Sequence, residues 1–505
     1  MTSGTDGEMR RQSRTILAPG AAQFFGDPQI IKERPVIPTN AIEKIHRASM
    51  RILETVGMVF HHEEALDICR KYGLKVDGKK VHFTENKIME LLSKVPESFE
   101  LVPYNKERTV SVGAGKVNWG TAGGAPALML PDGGLRPGLL TDFVDFLKMA
   151  HLAPSISFLN TLMIQASDVP LEHFPALNFF YASQISDKVL LALNGDQSTN
   201  HAVLAVAASL FGGGSEMARH PRFFGIVNTI SPLQMDGNAV DSLIGWARAG
   251  QPSAVSPCTM AGSTGPSTLA GSIALSNAEA LAGLALAQII NQGAPVIYGF
   301  QSTISDPRTA SISVGAPEQA VFIEYGAALA RFYRLPSRGG GLLTDADQVN
   351  LQCGYESMMN GLATRQAGYD LVLHGAGIMG AFAAVSFEKF VVDLEILGML
   401  ERASTDICLE DTDFALEIID QLGTEGGYLT HKHTLKNCRR HWIPKISYRG
   451  PMGNPESRQL MDARISREKE RMLEQYRSPD LPRTAVNDMK AALSKCGIEA
   501  KILGV

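Results

Sequence analysis

Eight short apolar stretches alternate with segments of helical length between about residues 117 and 402 of this 505-residue chain. The stretches that we predict to be strands are residues 117–120, 157–164, 189–194, 223–229, 253–258, 295–300, 337–343 and 369–374. The helices predicted after them are residues 142–150, 174–184, 200–211, 237–249, 267–291, 316–333, 350–367 and 387–399. This count predicts an α/β fold of the (β/α)8 TIM barrel type, because an open doubly wound sheet usually has five or six strands.

The barrel accounts for only part of the chain. Residues 1–35 are polar and irregular, and we expect them to form a flexible N-terminal arm. Apolar residues at helical spacing predict a helical N-terminal extension over residues 36–110. The barrel domain is assigned to residues 111–405, and a charged helical C-terminal appendage to residues 406–505.

Composition excludes several classes of function. The net charge of -5 argues against a surface for nucleic acid or an anionic membrane, because binding phosphate requires a basic face. Six cysteines are scattered without paired spacing, so a reducing cytoplasm is expected. The most apolar helix, near residues 278–291, contains Glu279 and Gln288 and is interpreted as a buried protein helix.

Several predicted strands end in small or polar residues, which in a barrel build the active site. Glycine is frequent after the seventh and eighth strands, where a large flat ligand would need close access to the backbone. We therefore assign Gly339, Gly340, Gly375 and Gly377 to cofactor binding.

The same glycines also fit a different hypothesis. With Gly380, the residues Gly375 and Gly377 match the GxGxxG pattern of dinucleotide sites. That pattern requires a helix to start at once, whereas the next helix is predicted to begin only near residue 386. A dinucleotide-dependent barrel enzyme is kept as the less favoured alternative.

A possible metal cluster lies in the C-terminal appendage. His431, His433, Cys438 and His441 have no common zinc spacing, and two adjacent arginines would oppose a bound cation. We interpret these residues as surface or partner-docking groups and predict no metal site in the chain.

Aromatic residues lie at or near the predicted strand ends. Trp119, Tyr298, Phe300 and Tyr355 could surround a quaternary ammonium, which has no N–H to donate and is bound by aromatic faces and carboxylates. Each of these residues could instead pack the upper layer of the barrel. They are nevertheless our candidates for substrate binding.

Four polar residues complete the predicted site. Arg338 and His374 could pair with a substrate carboxylate. Asp345 could face an ammonium or cap the next helix, and Glu279 could anchor the floor of the site or satisfy a helix start. Asp345 and Glu279 are assigned to the catalytic group.

Several short motifs occur in order between about residues 40 and 405. They are Ser-Pro-Leu at 231–233, Met-Ala at 260–261, Leu-Ala-Gly at 269–271, Asn-Ala-Glu at 277–279, Gly-Ala-Pro-Glu at 315–318, Arg-Phe-Tyr at 331–333, Thr-Asp-Ala at 344–346 and Gly-Ala-Gly at 375–377. Together these motifs resemble the trimethylamine:corrinoid methyltransferase family. Residues 335–347 resemble the segment that carries pyrrolysine in that family, and Leu342 occupies the pyrrolysine position and is included among the candidates for substrate binding.

The resemblance implies a TIM barrel that demethylates a methylated amine and passes the methyl group to the cobalt of a cognate corrinoid protein. Because Leu342 replaces pyrrolysine, it implies the non-pyrrolysine branch, whose substrates are quaternary amines such as glycine betaine, proline betaine and carnitine. Arg338 and His374 depart from the pyrrolysine branch and could serve a carboxylate, which favours glycine betaine.

The expected cofactor is therefore a cobalamin (corrinoid) carried by the partner protein, with neither metal nor pyrrolysine in this chain. The expected partners are that corrinoid protein and a small quaternary amine, with a homo-oligomer as the expected assembly.

Overall fold

A computed structural model describes residues 37–453 and 461–501. Eight parallel strands close into a barrel: β1 Asn118–Gly120, β2 Ile156–Asn160, β3 Val189–Ala192, β4 Phe224–Asn228, β5 Ser253–Ser256, β6 Val296–Phe300, β7 Ser337–Gly339 and β8 Leu371–Val372. Every predicted strand overlaps one of them, in the same order. The predicted (β/α)8 barrel is confirmed, whereas the arm expected over residues 1–35 lies outside the described residues.

One long helix follows each strand and packs on the outside of the barrel. These helices are α1 Leu140–Leu152, α2 Phe174–Ile185, α3 Gln197–Leu210, α4 Gly237–Arg248, α5 Leu269–Ile290, α6 Pro317–Phe332, α7 Leu351–Ala367 and α8 Phe387–Ala403. Helix α5 is long and apolar enough to cross a membrane, but 89% of its most apolar stretch is buried inside the protein. It is the core helix that the sequence predicted.

Alternate residues of the strands fill the barrel interior. Phe158, Leu191, Phe224, Ala254 and Ile297 belong to one buried apolar cluster. The same cluster includes residues of a two-stranded ribbon, Phe99–Leu101 and Val110–Val112, which closes the amino end of the barrel. The carboxyl end is left for a cavity.

The N-terminal extension contains strands as well as the expected helices. Its helices are Thr39–Thr55, Glu63–Lys71 and Glu85–Leu92, and its strands are Met58–Phe60, Lys75–Asp77 and Lys80–His82. Gly57 and Gly73 adopt positive φ and end the first two helices, which allows the chain to turn into short strands. The first of these strands pairs in parallel with Gln234–Met235 in the loop after β4.

Short elements decorate the loops and the C-terminal appendage. The further strands are Ala127–Met129, Leu135–Pro137, Met260–Ala261, Thr303–Ser305, Ile312–Ser313, Ile378–Met379 and Ala384–Val385. The further helical segments are Lys106–Arg108, Leu171–His173, Gly214–Met217, Asp411–Phe414, Leu416–Leu422, Tyr428–Thr430, Lys432–Asn437, Cys438–Arg440, Met461–Gln475 and Arg483–Lys495. Of these, Met461–Gln475 packs on α1 and α8, and Arg483–Lys495 packs on α2 and α3.

Candidate active site

A cavity of about 760 Å³ lies at the carboxyl ends of the barrel strands. All eight strands or the loops directly after them contribute to its lining: Gly124, Asn160, Asn194, Asn228, Cys258, Gln301, Arg338 and His374 in strand order. This is the end of a TIM barrel where active sites are built.

Arg338 is a buried cation without a carboxylate partner among the described residues. Its side chain points from β7 into the cavity, is 2% exposed and donates one hydrogen bond, from Nη1 to Ser256 Oγ at 2.7 Å. Nε has no acceptor in the described part of the chain, and no carboxylate there forms an ion pair with the guanidinium. Burial lowers the pKa of Arg338 to about 10, so the side chain remains charged at neutral pH.

His374 lies beside Arg338 at the end of β8. Its backbone has a φ of +64°, which is uncommon for a residue with a side chain. Burial, and then the charge of Arg338, hold the pKa of His374 well below its usual value, so the imidazole is neutral. Its ring lies 4.9 Å from that of Phe382, measured between centroids.

Four cavity-lining residues carry buried polar atoms without a hydrogen-bond partner among residues 37–453 and 461–501. These atoms are Asn194 Oδ1, the amide of Gln301, Arg338 Nε and His374 Nδ1. Buried polar groups in proteins are normally satisfied, so this convergence indicates a polar ligand. The donors and the cation favour an anionic group on that ligand.

The outer part of the cavity is apolar and acidic. Phe174 and Phe382 supply aromatic side chains, and Phe382 adopts a φ of +76°, a strained conformation for a bulky residue. The carboxylates that line the cavity, in the part of the chain described, are Glu172 and Asp196. Asp196 accepts a hydrogen bond from Thr199 N at the start of α3, which lowers its pKa.

Comparison with known proteins gives the family. A family model described as trimethylamine methyltransferase (MTTB) matches residues 7–496. The chain belongs to the trimethylamine methyltransferase family. The resemblance carried by the sequence motifs is thereby confirmed.

Two curated relatives and one solved structure illustrate this similarity. The glycine betaine methyltransferase of Desulfitobacterium hafniense (strain Y51) is 38% identical over 423 residues, 83% of this chain and 88% of the relative. The proline betaine:corrinoid methyltransferase of Eubacterium limosum is 31% identical over 479 residues, 89% of this chain and 95% of the relative. The crystal structure of the Methanosarcina barkeri monomethylamine methyltransferase has a TM-score of 0.51 at 12% identity, covers 91% of this chain and 87% of that chain, and supports the fold.

Two of the predicted substrate-binding residues, Arg338 and His374, line the cavity of this family member. Three predicted aromatic residues instead face the helices. Tyr298 donates a hydrogen bond to Asn277 Oδ1 on α5 at 2.8 Å. The ring centroids of Phe300 and of Phe322 on α6 lie 6.3 Å apart. Trp119 packs in the cluster formed with the outer helices, while its neighbour Gly120 faces the barrel interior.

Leu342 and Tyr355 are also directed away from the cavity. Leu342 is fully buried and packs against α7, where a Cβ on Gly361 would come within 2.4 Å of Leu342 Cδ2. Tyr355 lies on the outer surface of α7 and is 64% exposed. The residue that the sequence resemblance matches to the pyrrolysine position is thus a core residue here.

Glu279 anchors the loop after β4 rather than lining the cavity. The carboxylate is fully buried on α5 and accepts hydrogen bonds from Thr229 Oγ1, Ser231 Oγ and Leu233 N. Burial raises its pKa, and these three donors oppose that shift. The contacts of Glu279 are therefore those of a structural anchor beneath the site.

Asp345 belongs to a second set of anchors that hold the loop after β7. It accepts hydrogen bonds from Ser313 Oγ and Val314 N, at 2.5 and 2.7 Å. Its own backbone N–H donates to Glu356 of α7 at 2.8 Å. Asp345 is outside the cavity lining, so its contacts connect two loops at the barrel mouth.

A buried ion pair on α8 joins the loops after β7 and β8. Lys389 and Asp393 are both fully buried and contact each other directly. Lys389 Nζ donates to the carbonyl oxygen of Leu342 at 3.2 Å, and Asp393 accepts from Gly377 N at 2.8 Å. The pair fixes both loops from the outside of the barrel wall.

The four glycines assigned to cofactor binding pack against protein atoms. A Cβ on Gly339 would lie 2.7 Å from Phe300 O, and one on Gly375 would lie 2.6 Å from Gly120 O. Gly340 and Gly377 have positive φ and abut Thr364 and Phe390. Gly123, Gly124 and Gly195 line the cavity instead, and a Cβ on Gly124 would meet open space.

Sequence reasoning did not select the amides Asn160, Asn194, Asn228 and Gln301 as site residues. A signal was present, since Asn194 and Asn228 are polar residues at the ends of predicted strands. Gln301 follows β6 directly, two residues after Gly299, and residues two apart in a strand share a face. The polar lining of the cavity could therefore have been predicted from the polar residues at the strand ends, whereas the aromatic residues did not indicate it.

Proposed function

We propose that this protein transfers a methyl group from a carboxylate-bearing quaternary amine, with glycine betaine the first choice, to the Co(I) of a corrinoid protein. The observation that carries the proposal is Arg338, a buried guanidinium in the cavity without a carboxylate partner among the described residues. An unpaired buried charge is costly, and a substrate carboxylate would compensate it.

The polar floor and the apolar outer wall would orient such a substrate. With its carboxylate against Arg338 and the Gln301 amide, the ammonium would project towards Phe382 and the mouth of the barrel. Aromatic faces and the nearby carboxylates Glu172 and Asp196 suit a cation that has no N–H. The methyl groups would then face the opening from which a partner protein approaches.

The chemistry asks little acid–base work of these residues. The C–N bond breaks, its electron pair stays on nitrogen, and the amine leaves neutral, so no general acid is needed. The corrinoid supplies a nucleophilic Co(I) when the partner presents it at the mouth. The residues of this chain position the methyl group and exclude water, which is where an in-line transfer gains most.

The carboxyl-end cavity fits a cofactor that arrives on another protein. It is open at the barrel mouth, and Gly123, Gly124 and Gly195 leave its rim without bulky side chains. A dinucleotide is a weaker fit, because the glycine motif forms part of a hairpin, Ile378–Met379 with Ala384–Val385, and α8 begins only at Phe387.

The names of the two curated relatives support a betaine as the substrate class. Both glycine betaine and proline betaine combine a quaternary ammonium with a carboxylate, and carnitine has the same two groups. Trimethylamine lacks the carboxylate that Arg338 would bind. All six cysteines are free, which supports a reducing cytoplasm as the place of action, and a homo-oligomer remains the proposed assembly.

The test is an anaerobic spectrum of free cob(I)alamin mixed with the protein and one methylated amine at a time. We expect conversion to methylcobalamin with glycine betaine and none with trimethylamine. Tetramethylammonium is the matched control, because it keeps the quaternary nitrogen and lacks the carboxylate.

Equal rates with tetramethylammonium and glycine betaine would remove the role proposed for Arg338 while leaving the reaction intact. Conversion with proline betaine or carnitine alone would keep the reaction and change the substrate. Absence of conversion with every amine, also after addition of candidate corrinoid proteins, would contradict the proposed reaction.

A further inference from the structure

Residues 404–445 form helical segments without a core. They are called the arm from here on and are distinct from the N-terminal arm expected over residues 1–35. The segments are Asp411–Phe414, Leu416–Leu422, Tyr428–Thr430, Lys432–Asn437 and Cys438–Arg440. No residue from 404 to 445, all of which the structure describes, is buried. By contrast, Met461–Gln475 and Arg483–Lys495 each bury apolar side chains against the barrel helices.

The arm exposes large apolar side chains along its whole length. They are Ile407, Leu409, Phe414, Leu416, Ile419, Tyr428, Leu429, Leu435 and Ile443, with exposed fractions from 41% for Tyr428 to 87% for Leu429. Scattered single apolar residues on a surface are ordinary, but a continuous series marks an interaction site. Helices this short also depend on tertiary contacts for stability.

Charge divides the arm into two opposite halves. Residues 404–426 contain seven Asp and Glu and no Lys or Arg, whereas residues 427–445 contain five Lys and Arg and no Asp or Glu. Within one chain the halves share the ion pair between Arg440 and Asp413, at 2.8 Å. The remaining charges make the arm complementary to a copy of itself turned end for end.

The arm lies at the amino end of the barrel, away from the cavity. It begins directly after α8, whose last turn is at Ala403. At its other end the arm packs again on α8: Trp442 contacts Gly398, and the backbone N–H groups of Lys445 and Ser447 donate to Glu395. Trp442 also shares a cleft with residues 152–155, which lead into the amino end of β2.

We propose that the arm is the contact through which two copies of this chain associate, with the acidic half of each arm on the basic half of the other. A two-fold axis produces this contact twice, because an isologous interface places the same surface of both subunits together. The exposed apolar side chains would be covered at the same time. Both cavities would stay open to the corrinoid protein, since the arm and the barrel mouth lie at opposite ends.

The test reverses the charge of each half separately. One variant carries Glu410→Lys, Asp411→Lys, Glu417→Lys and Asp420→Lys, and the other carries Lys432→Glu, Lys436→Glu and Arg439→Glu. All seven side chains are exposed, so the fold is preserved. Masses are measured by light scattering after gel filtration at low ionic strength, alone and after mixing equal amounts.

We expect wild-type protein to have an even multiple of the chain mass and each variant alone to have half of the wild-type mass or less. Mixing the two variants should restore association, because their reversed halves attract each other. The matched control, Lys44→Glu with Lys71→Glu and Lys94→Glu on the exposed N-terminal extension, should keep the wild-type mass.

Three results would overturn the proposal. They are a monomeric wild-type protein, arm variants that keep the wild-type mass, and variants that dissociate but do not associate when mixed. The last result would show that the arm does not pair with a second arm. None of these outcomes depends on methyl transfer, so the proposed function is tested separately.

Discussion

A buried ion pair and a single buried cation lie on opposite sides of the barrel wall, and they differ in how their charge is balanced. Outside the wall, Lys389 and Asp393 neutralise each other, and each also holds a backbone group of a neighbouring loop. Inside the wall, Arg338 has one neutral partner, Ser256, and no anion among the described residues. The two outer charges pair with each other, whereas the inner charge, which has no carboxylate partner among the described residues, would pair with the carboxylate of the proposed substrate.

This difference separates structural from functional charge. A satisfied buried pair holds loops in place but is costly to break, because removing one partner leaves the other buried and unpaired. An unpaired buried cation is costly in the free protein, and an anionic ligand would offset that cost.

Replacing Asp393 with Ala should destabilise the protein by about 3–5 kcal/mol, because Lys389 would remain fully buried without its carboxylate partner. The change also removes the acceptor for Gly377 N. Urea unfolding monitored by circular dichroism measures the loss. Asp488→Ala, which removes an exposed carboxylate on Arg483–Lys495, should have little effect, and equal losses for both variants would contradict the role of the pair.

Replacing Arg338 with Met should weaken ligand binding without lowering the stability of the free protein. We expect the affinity for glycine betaine to fall about 100-fold, which corresponds to about 3 kcal/mol for the loss of a buried charge pair. The free energy of unfolding without ligand should stay the same or rise, because a buried cation is replaced by an apolar side chain. Calorimetric titration and urea unfolding measure the two quantities.

Unchanged affinity in this variant would exclude Arg338 as the carboxylate site. A large loss of stability would also contradict the comparison, since it would place Arg338 with the structural charges. Arg338→Lys serves as the control that keeps the charge and loses the planar group. Its affinity for glycine betaine should lie between those of the wild type and Arg338→Met.

His374 extends the comparison to a group that is held neutral. Because its folded-state pKa lies well below that of the unfolded chain, the unfolded state binds the additional proton when the pH falls below about 6.5. This residue should therefore remove up to about 1.4 kcal/mol of stability per pH unit below that point. His374→Gln should lose the dependence, as measured by urea unfolding between about pH 5 and 7.5.

If the stability difference between wild type and His374→Gln is constant across that range, the imidazole titrates equally in both states. The neutral form next to Arg338 would then be ruled out. At pH values above 7 the two proteins should differ little from this cause, because the histidine is neutral whether the chain is folded or not.

The smallest effect is expected at Ser256, the neutral partner of Arg338. Ser256→Ala should lower the affinity for glycine betaine about fivefold, since one hydrogen bond that orients the guanidinium contributes about 1 kcal/mol. Ser253→Ala, on the same strand and with an Oγ that has no partner in the described residues, is the matched control. Equal affinities in the two variants would show that Ser256 does not position Arg338.

The barrel itself could be predicted because the alternation of strands and helices is encoded in local sequence patterns. Each strand is a short apolar run and each helix shows its own periodicity, so β1 to β8 appear in the chain as eight separable signals. The family motifs added the reaction class, since several of them occur in order at matching spacing. The two site residues selected for their charge or ring nitrogens, Arg338 and His374, also lie in the cavity.

The aromatic candidates show what local patterns leave open. Tyr298 and Phe300 are two residues apart and therefore share one face of β6, but the sequence does not say which face. In a parallel barrel both faces of a strand are buried, so apolar residues occur on both sides and no polar alternation marks the interior. The structure places both side chains against helices α5 and α6.

By itself, the sequence determined the number and order of the strand–helix repeats, the acidic net charge, the family motifs and the opposite charges of the two halves of the arm. Tertiary structure alone decided that Arg338 has no anionic partner among the described residues, and that the arm emerges at the end opposite to the cavity. The physical reason is that the partner of a buried charge is set by closure of the barrel, which brings together residues as far apart in the chain as Ser256 and Arg338.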